Sequence, residues 1–237
     1  MRAVPTSPRE AKRFTVPLLE NGDRMTQEEF HRRYEQCAEH VKAELIEGVV
    51  HLPSPVRQPH ATRHPELSGA LCLYKGAIPG IEILDNATII LGPVSEPQPD
   101  LALRILPEWG GRSWTDGDEY VQGAPELLAE IAHSSRTIDL NQKRNDYRRA
   151  GVLEYIVWCI EEPELYWFDF VAGKELRPNR QGIYRSRIFP GLWINREALL
   201  NCDTLRIAAV VQEGVASRPH AAFVKRLHNA WKKINQP

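Results

Sequence analysis

A glutamate inside an apolar run limits what this chain can fold into more than any other feature. Pro125-Glu126-Leu127-Leu128-Ala129-Glu130-Ile131-Ala132 has the length and bounding of a strand buried on both faces. Glu130 would then sit in the core, where an ionised carboxylate is costly unless it is paired or bound to a cation. A second acid enters a similar run: Gln98-Pro99-Asp100-Leu101-Ala102-Leu103 places Asp100 at the mouth of another short buried strand. From Asp139 to Ala150 the spacing of Asp139, Lys143 and Tyr147 stacks the three on one face of a predicted helix. Two acids and a lysine thus converge from two strands and a helix.

Composition bounds the setting. The 237 residues are 42% hydrophobic and 26% charged, which fits a single globular domain with extensions. Residues 1–23 read as a loose polar arm, 24–200 as the domain and 201–237 as a C-terminal helical extension. The formal net charge of −1 provides no global field for nucleic acid, so DNA contact would depend on local basic patches. The candidates are Lys143, Arg144, Arg148 and Arg149, and the C-terminal Lys225, Arg226, Lys232 and Lys233. Cys37, Cys72, Cys159 and Cys202 form no C-x-x-C pair and read as reduced core residues. No signal-peptide core or run of about 20 apolar residues is present, so the chain reads as cytoplasmic.

In chain order, Thr26 with Glu29 has capping-box spacing and predicts a helix to about Cys37, with Phe30 and Tyr34 inward. Ala43 to Leu52 reads as a hairpin turning at Glu47-Gly48, with Glu44 on its first arm. A buried helix is predicted from Glu66 to Lys75. His60 and His64 stand four apart, but Pro65 argues against a helix there, leaving them as surface histidines. Ile81 to Leu91 reads as two strands or a bent one. The loop from Leu106 to Gly123 could be a lid; its Trp109 and Trp114 are expected to fold back over the sheet rather than to stack bases. Gly151 is placed to end the helix that carries Lys143. Glu154 to Cys159 and Glu164 to Phe170 form a hairpin, a strand is predicted near Ile183 to Ile188, and Pro219 to Asn235 is a basic amphipathic helix.

Together, Glu44-Leu45-Ile46-Glu47-Gly48, Gln98-Pro99-Asp100-Leu101, Glu130 to Ser135, and Asp139-Leu140 with Lys143, Tyr147 and Gly151 to Tyr155 resemble the PD-(D/E)XK nuclease superfamily. Within it they resemble a large bacterial family of restriction-endonuclease-like proteins, once a domain of unknown function. The resemblance implies an α/β restriction-endonuclease-like fold, a central mixed sheet flanked by helices. It implies metal-dependent hydrolysis of DNA, with Asp100 and Glu130 holding Mg²⁺ or Mn²⁺. Lys143 takes the lysine role because the older position, two residues after the glutamate, is Ala132, and Glu44 is a third acid. DNA is the implied partner, and nucleases that cut duplexes are often homodimers. The chain departs from the family pattern where His133-Ser134-Ser135 replaces Ser-Pro-Ser. That departure supports an alternative, a catalytically inactive nuclease-fold module that binds nucleic acid or protein. A third reading leaves Glu130 and Lys143 as a structural ion pair.

Overall fold

The computed structural model describes residues 18–235, so most of the arm expected over 1–23 lies outside the described residues. Helix α1 (Gln27–Tyr34) begins at Thr26, whose side chain accepts the Glu29 amide, and buries Phe30. A cap of this kind stabilises a helix by about 1 kcal/mol. Strands β1 (Glu44–Ile46) and β2 (Val49–His51) pair antiparallel across Glu47 and Gly48, both at positive φ as the tightest hairpin turn requires. Their small core joins Leu19, Phe30, Ala43, Leu45 and Val50.

Helix α2 (Gln58–Gly76) is longer than the sequence predicts and contains Pro65 in its interior. Proline removes one backbone hydrogen bond, to the carbonyl four residues earlier at Ala61. Both residues are exposed, so solvent is available to that carbonyl. The reading of His60 and His64 as surface residues outside a helix is therefore corrected: both lie on α2 and both are half-buried.

Next come β3 (Ile81–Asp85), β4 (Ile89–Ile90), β5 (Leu101–Ile105), β6 (Trp114–Thr115), β7 (Val121–Gln122) and β8 (Leu127–Ala132). After β8, one π-helical stretch (Ile138–Lys143) leads into α3 (Arg144–Ala150). Gly151 ends α3 in the left-handed conformation, φ 96°. The chain continues through β9 (Glu154–Cys159), β10 (Glu164–Asp169), β11 (Lys174–Glu175), β12 (Ile183–Arg185) and β13 (Trp193–Asn195). It finishes with α4 (Arg196–Leu200), α5 (Thr204–Val215) and α6 (Arg218–Asn235).

The main sheet has six strands in the order β11-β10-β9-β8-β5-β3. Only β8 and β9 run parallel, joined by the α3 crossover, and the other pairs are antiparallel. Strand β8 is buried along its whole length. Leu127, Ala129 and Ile131 enter the larger core with residues of α2, α5 and α6, whereas Leu128 and Ala132 enter the opposite core with Tyr147 and Tyr155. Because side chains alternate along a strand, Glu130 faces this second core. The α/β mixed-sheet architecture is as expected.

Two smaller expectations change. The segment 106–123 contributes β6 and β7 to a three-stranded sheet with β4 and is not a free lid. Its Trp109 packs against His228 and Trp231 of α6, while Trp114 stays half-exposed. All four cysteines are free, but Cys72 is exposed rather than part of the core.

Asp146 of α3 is buried and accepts a hydrogen bond from Ser95, tying the helix to the loop before β5. Burial raises its pKa from 3.8 to about 6, against the bond from Ser95. A raised folded-state pKa means that the contribution of Asp146 to stability is complete below pH 3.8 and is lost as pH rises through about 6. Asp146→Asn should flatten this part of the pH–stability curve and narrow the gap to wild type by at most about 3 kcal/mol between pH 4 and 7. Urea unfolding at the two pH values reads the difference; parallel curves would contradict the assignment.

Candidate active site

The ladder between β5 and β8 ends where Leu101 pairs with Ala129, so Asp100 precedes the last rung on one strand and Glu130 follows it on the other. The ladder stops here because the Asp100 side chain takes a ladder amide itself: Ile131 N–H donates to Oδ2 at 2.7 Å. Proline at 99 cannot donate to a ladder, which helps end the strand just where the acid is presented.

Lys143 arrives from the last position of the π-helical stretch and is buried. Its Nζ donates to Glu130 Oε1 and to Glu44 Oε1, each at 2.9 Å, and lies 3.9 Å from Asp139 Oδ1. Tyr147 O–H donates to the same Glu130 oxygen at 2.8 Å. The partner that Glu130 requires is thus a lysine and a phenol one turn apart. Glu44, which only the family resemblance brought to the site, is held there by the Gln98 amide at 2.8 Å and by Lys143. Asp139, Lys143 and Tyr147 do share a face, although the backbone is π-helical through Lys143 rather than α-helical. Such wider turns are frequent at functional sites. Tyr155 braces this turn, donating to the Asp139 carbonyl at 3.2 Å and meeting Tyr147 edge to face.

At 135, where the chain keeps the serine of the family pattern, Ser135 O–H donates to Asp139 Oδ2, leaving Oδ1 buried with no hydrogen-bond partner. Burial raises the Asp139 carboxyl to about 6, against the charge of Lys143. Burial also pushes Glu130 well above the ordinary carboxylate range, again opposed by Lys143 and reinforced by the neighbouring acids. For Lys143 burial works the other way, but Glu130, Glu44 and Asp139 outweigh it and hold the ammonium protonated. Asp100 also resists burial, through His60, the Ile131 amide and Lys143, and its pKa falls below the ordinary value.

His60, which the sequence places among surface histidines, reaches Asp100 from α2. Its Nε2 lies 3.1 Å from both carboxylate oxygens of Asp100, and this bond raises its pKa against desolvation. His64 Nε2 lies 3.2 Å from the Asp100 carbonyl oxygen, and the two rings stack at 6.0 Å. The four-residue spacing was the available signal, hidden by the proline that follows.

The acidic site is built from hard oxygen donors, of which Asp139 Oδ1 is unengaged. Among the described residues, no three His, Cys, Asp or Glu side chains already enclose an ion-sized space. Magnesium does not require such a cage, since one or two carboxylates suffice and water fills the remaining positions. The donor set therefore fits a hard divalent cation.

The family described as "Uma2: Putative restriction endonuclease" matches residues 27–197, a span containing every residue of this site. The chain belongs to the Uma2 family. Family membership supports nuclease function in general. The crystal structure of a "putative nuclease belonging to DUF820" from Anabaena variabilis aligns with a TM-score of 0.54 over 72% of this chain and 96% of that one. At 12% identity this likeness shows the shared fold. No curated protein matches the chain. Helices α5 and α6 follow the matched span, yet Ile207, Val211, Phe223 and Leu227 lie in the main core. Among the described residues, no helix is long and apolar enough to cross a membrane.

Proposed function

We propose that this Uma2 protein is a metal-dependent endonuclease that hydrolyses DNA phosphodiester bonds. The observation that carries the reading is Lys143 bridging Glu44 and Glu130, with the Asp100 carboxylate held by the amide of Ile131, the residue after Glu130. A fold gains little by burying three acids, Glu44, Glu130 and Asp139, around one lysine unless the cluster has a use.

Asp100 and Glu130 would hold Mg²⁺ or Mn²⁺, with Asp139 Oδ1 as an additional oxygen. When bound, such an ion lowers the pKa of a water and stabilises charge growing on phosphate oxygens. The chain's own groups provide the frame. Glu44 and Glu130 fix the Lys143 ammonium, a positive charge that needs no reorganisation when an anionic phosphate approaches. Tyr147 takes one lone pair of Glu130 and fixes its rotamer, and Ser135 does the same for Asp139.

Nucleic-acid attraction rests on the exposed Arg148 and Arg149 of α3 and on the lysines of α6. Lys143 is buried and does not belong to that patch. Arg149 also bonds Glu47 at the surface, 2.6 Å away. Binding through such a patch should weaken steeply with salt, because each neutralised phosphate releases counterions.

Millimolar Mg²⁺ or Mn²⁺ should raise the melting temperature, since only the folded chain presents the site. The same ions should switch on cleavage of a panel of single- and double-stranded DNA. A protein that binds DNA but cuts nothing with either ion would instead be the inactive binding module.

A further inference from the structure

We propose that His60 is a nitrogen ligand of the Asp100 metal position and biases the site toward Mn²⁺ over Mg²⁺. This rests on the metal-dependent reading above and adds a residue and a selectivity to it.

Helix α2 aims His60 Nε2 at the Asp100 carboxylate and places it 3.1 Å from each oxygen. Two donors bound about 2.1–2.2 Å from a six-coordinate ion and at right angles lie about 3.0–3.1 Å apart. An ion can therefore be shared between Asp100 and His60 at the separation already present. These two side chains are also the more accessible part of the site, with 15% and 16% of their surface exposed, whereas Glu130 and Lys143 lie deeper, at 6% and 7%.

His64 supports the placement. One turn along α2, its ring stacks on His60, and its Nε2 contacts the Asp100 carbonyl oxygen rather than the carboxylate. Two contacts from one helix face thus fix the same aspartate. Carboxylate, carbonyl and water oxygens suit both Mg²⁺ and Mn²⁺, whereas an imidazole nitrogen is a poor donor for the hard Mg²⁺ and a better one for the softer Mn²⁺.

The test uses the full-length protein, with His60→Gln and His60→Asn as alternative replacements and His64→Gln as a control. Calorimetric titration with each ion should show wild type binding Mn²⁺ about tenfold or more tighter than Mg²⁺. The His60 variants should lose most of that preference by weakening Mn²⁺ while Mg²⁺ changes little. Pulsed electron paramagnetic resonance of bound Mn²⁺ should show imidazole ¹⁴N coupling in wild type and His64→Gln, but not in a His60 variant that retains the wild-type circular dichroism spectrum. Mn²⁺ binding that depends on Asp100 but shows no nitrogen coupling would overturn the role of His60 and leave the nuclease reading standing. Failure of wild type to bind either ion would remove both.

Discussion

Replacing Lys143 by methionine is expected to destabilise the protein by about 3–5 kcal/mol, because Glu44 and Glu130 would be left buried without their cation. In a domain of this size that corresponds to a fall in Tm of roughly 6–20 °C. The sequence leaves two readings of this lysine, catalytic group or half of a structural ion pair. The observed geometry makes a single position serve stability whatever it does in chemistry. The Glu44→Gln/Glu130→Gln/Lys143→Met variant should recover much of the loss, since it removes the stranded charges together with the ammonium. Urea unfolding followed by circular dichroism measures both effects. A Lys143→Met protein as stable as wild type would show that the three charges are not held in a closed cluster.

Asp100→Asn should abolish cleavage and preserve the fold. The amide keeps an acceptor for the Ile131 N–H, so the end of β5 remains anchored, but the negative charge that would hold a divalent ion is gone. A bound metal is worth several kcal/mol to a phosphoryl transition state, so its loss corresponds to a drop of about a thousandfold or more in rate. Binding to DNA, driven by surface arginines and lysines, should persist or strengthen as one negative charge leaves the site. Cleavage rates and fluorescence anisotropy on the same oligonucleotides separate the two. Cleavage retained in Asp100→Asn would move the chemistry away from this aspartate.

Much of the site is legible in the sequence because burying charge leaves traces in an apolar pattern. Glu130 stands out inside β8, Asp100 at the entry to β5, and Lys143 with Tyr147 at a spacing that stacks side chains. Glu44 is invisible by such reasoning, since nothing local distinguishes it from a solvent-facing acid on a hairpin; its role follows from a tertiary contact 99 residues away. His60 is missed for a different reason. The rule that proline disfavours helix at the preceding residue is a local steric preference. In α2 it is overridden by the packing of Leu67, Ala70, Leu71 and Tyr74 against the sheet. The π-helical stretch is likewise hidden, because the same four-residue spacing is compatible with an ordinary helix.

The bond between Glu44 and Lys143 also bears on the order in which the protein comes into being. Glu130, Asp139, Lys143 and Tyr147 all belong to one short crossover unit and are near each other as soon as it forms, whereas Glu44 must be brought from the far end of a long loop. Closing that loop carries an entropic cost that local contacts avoid. The acidic cluster is therefore complete only once the N-terminal hairpin has docked. On a ribosome, or after partial unfolding, a chain lacking that contact has an unfinished site. Assembly of the acidic cluster is in this way tied to completion of the fold.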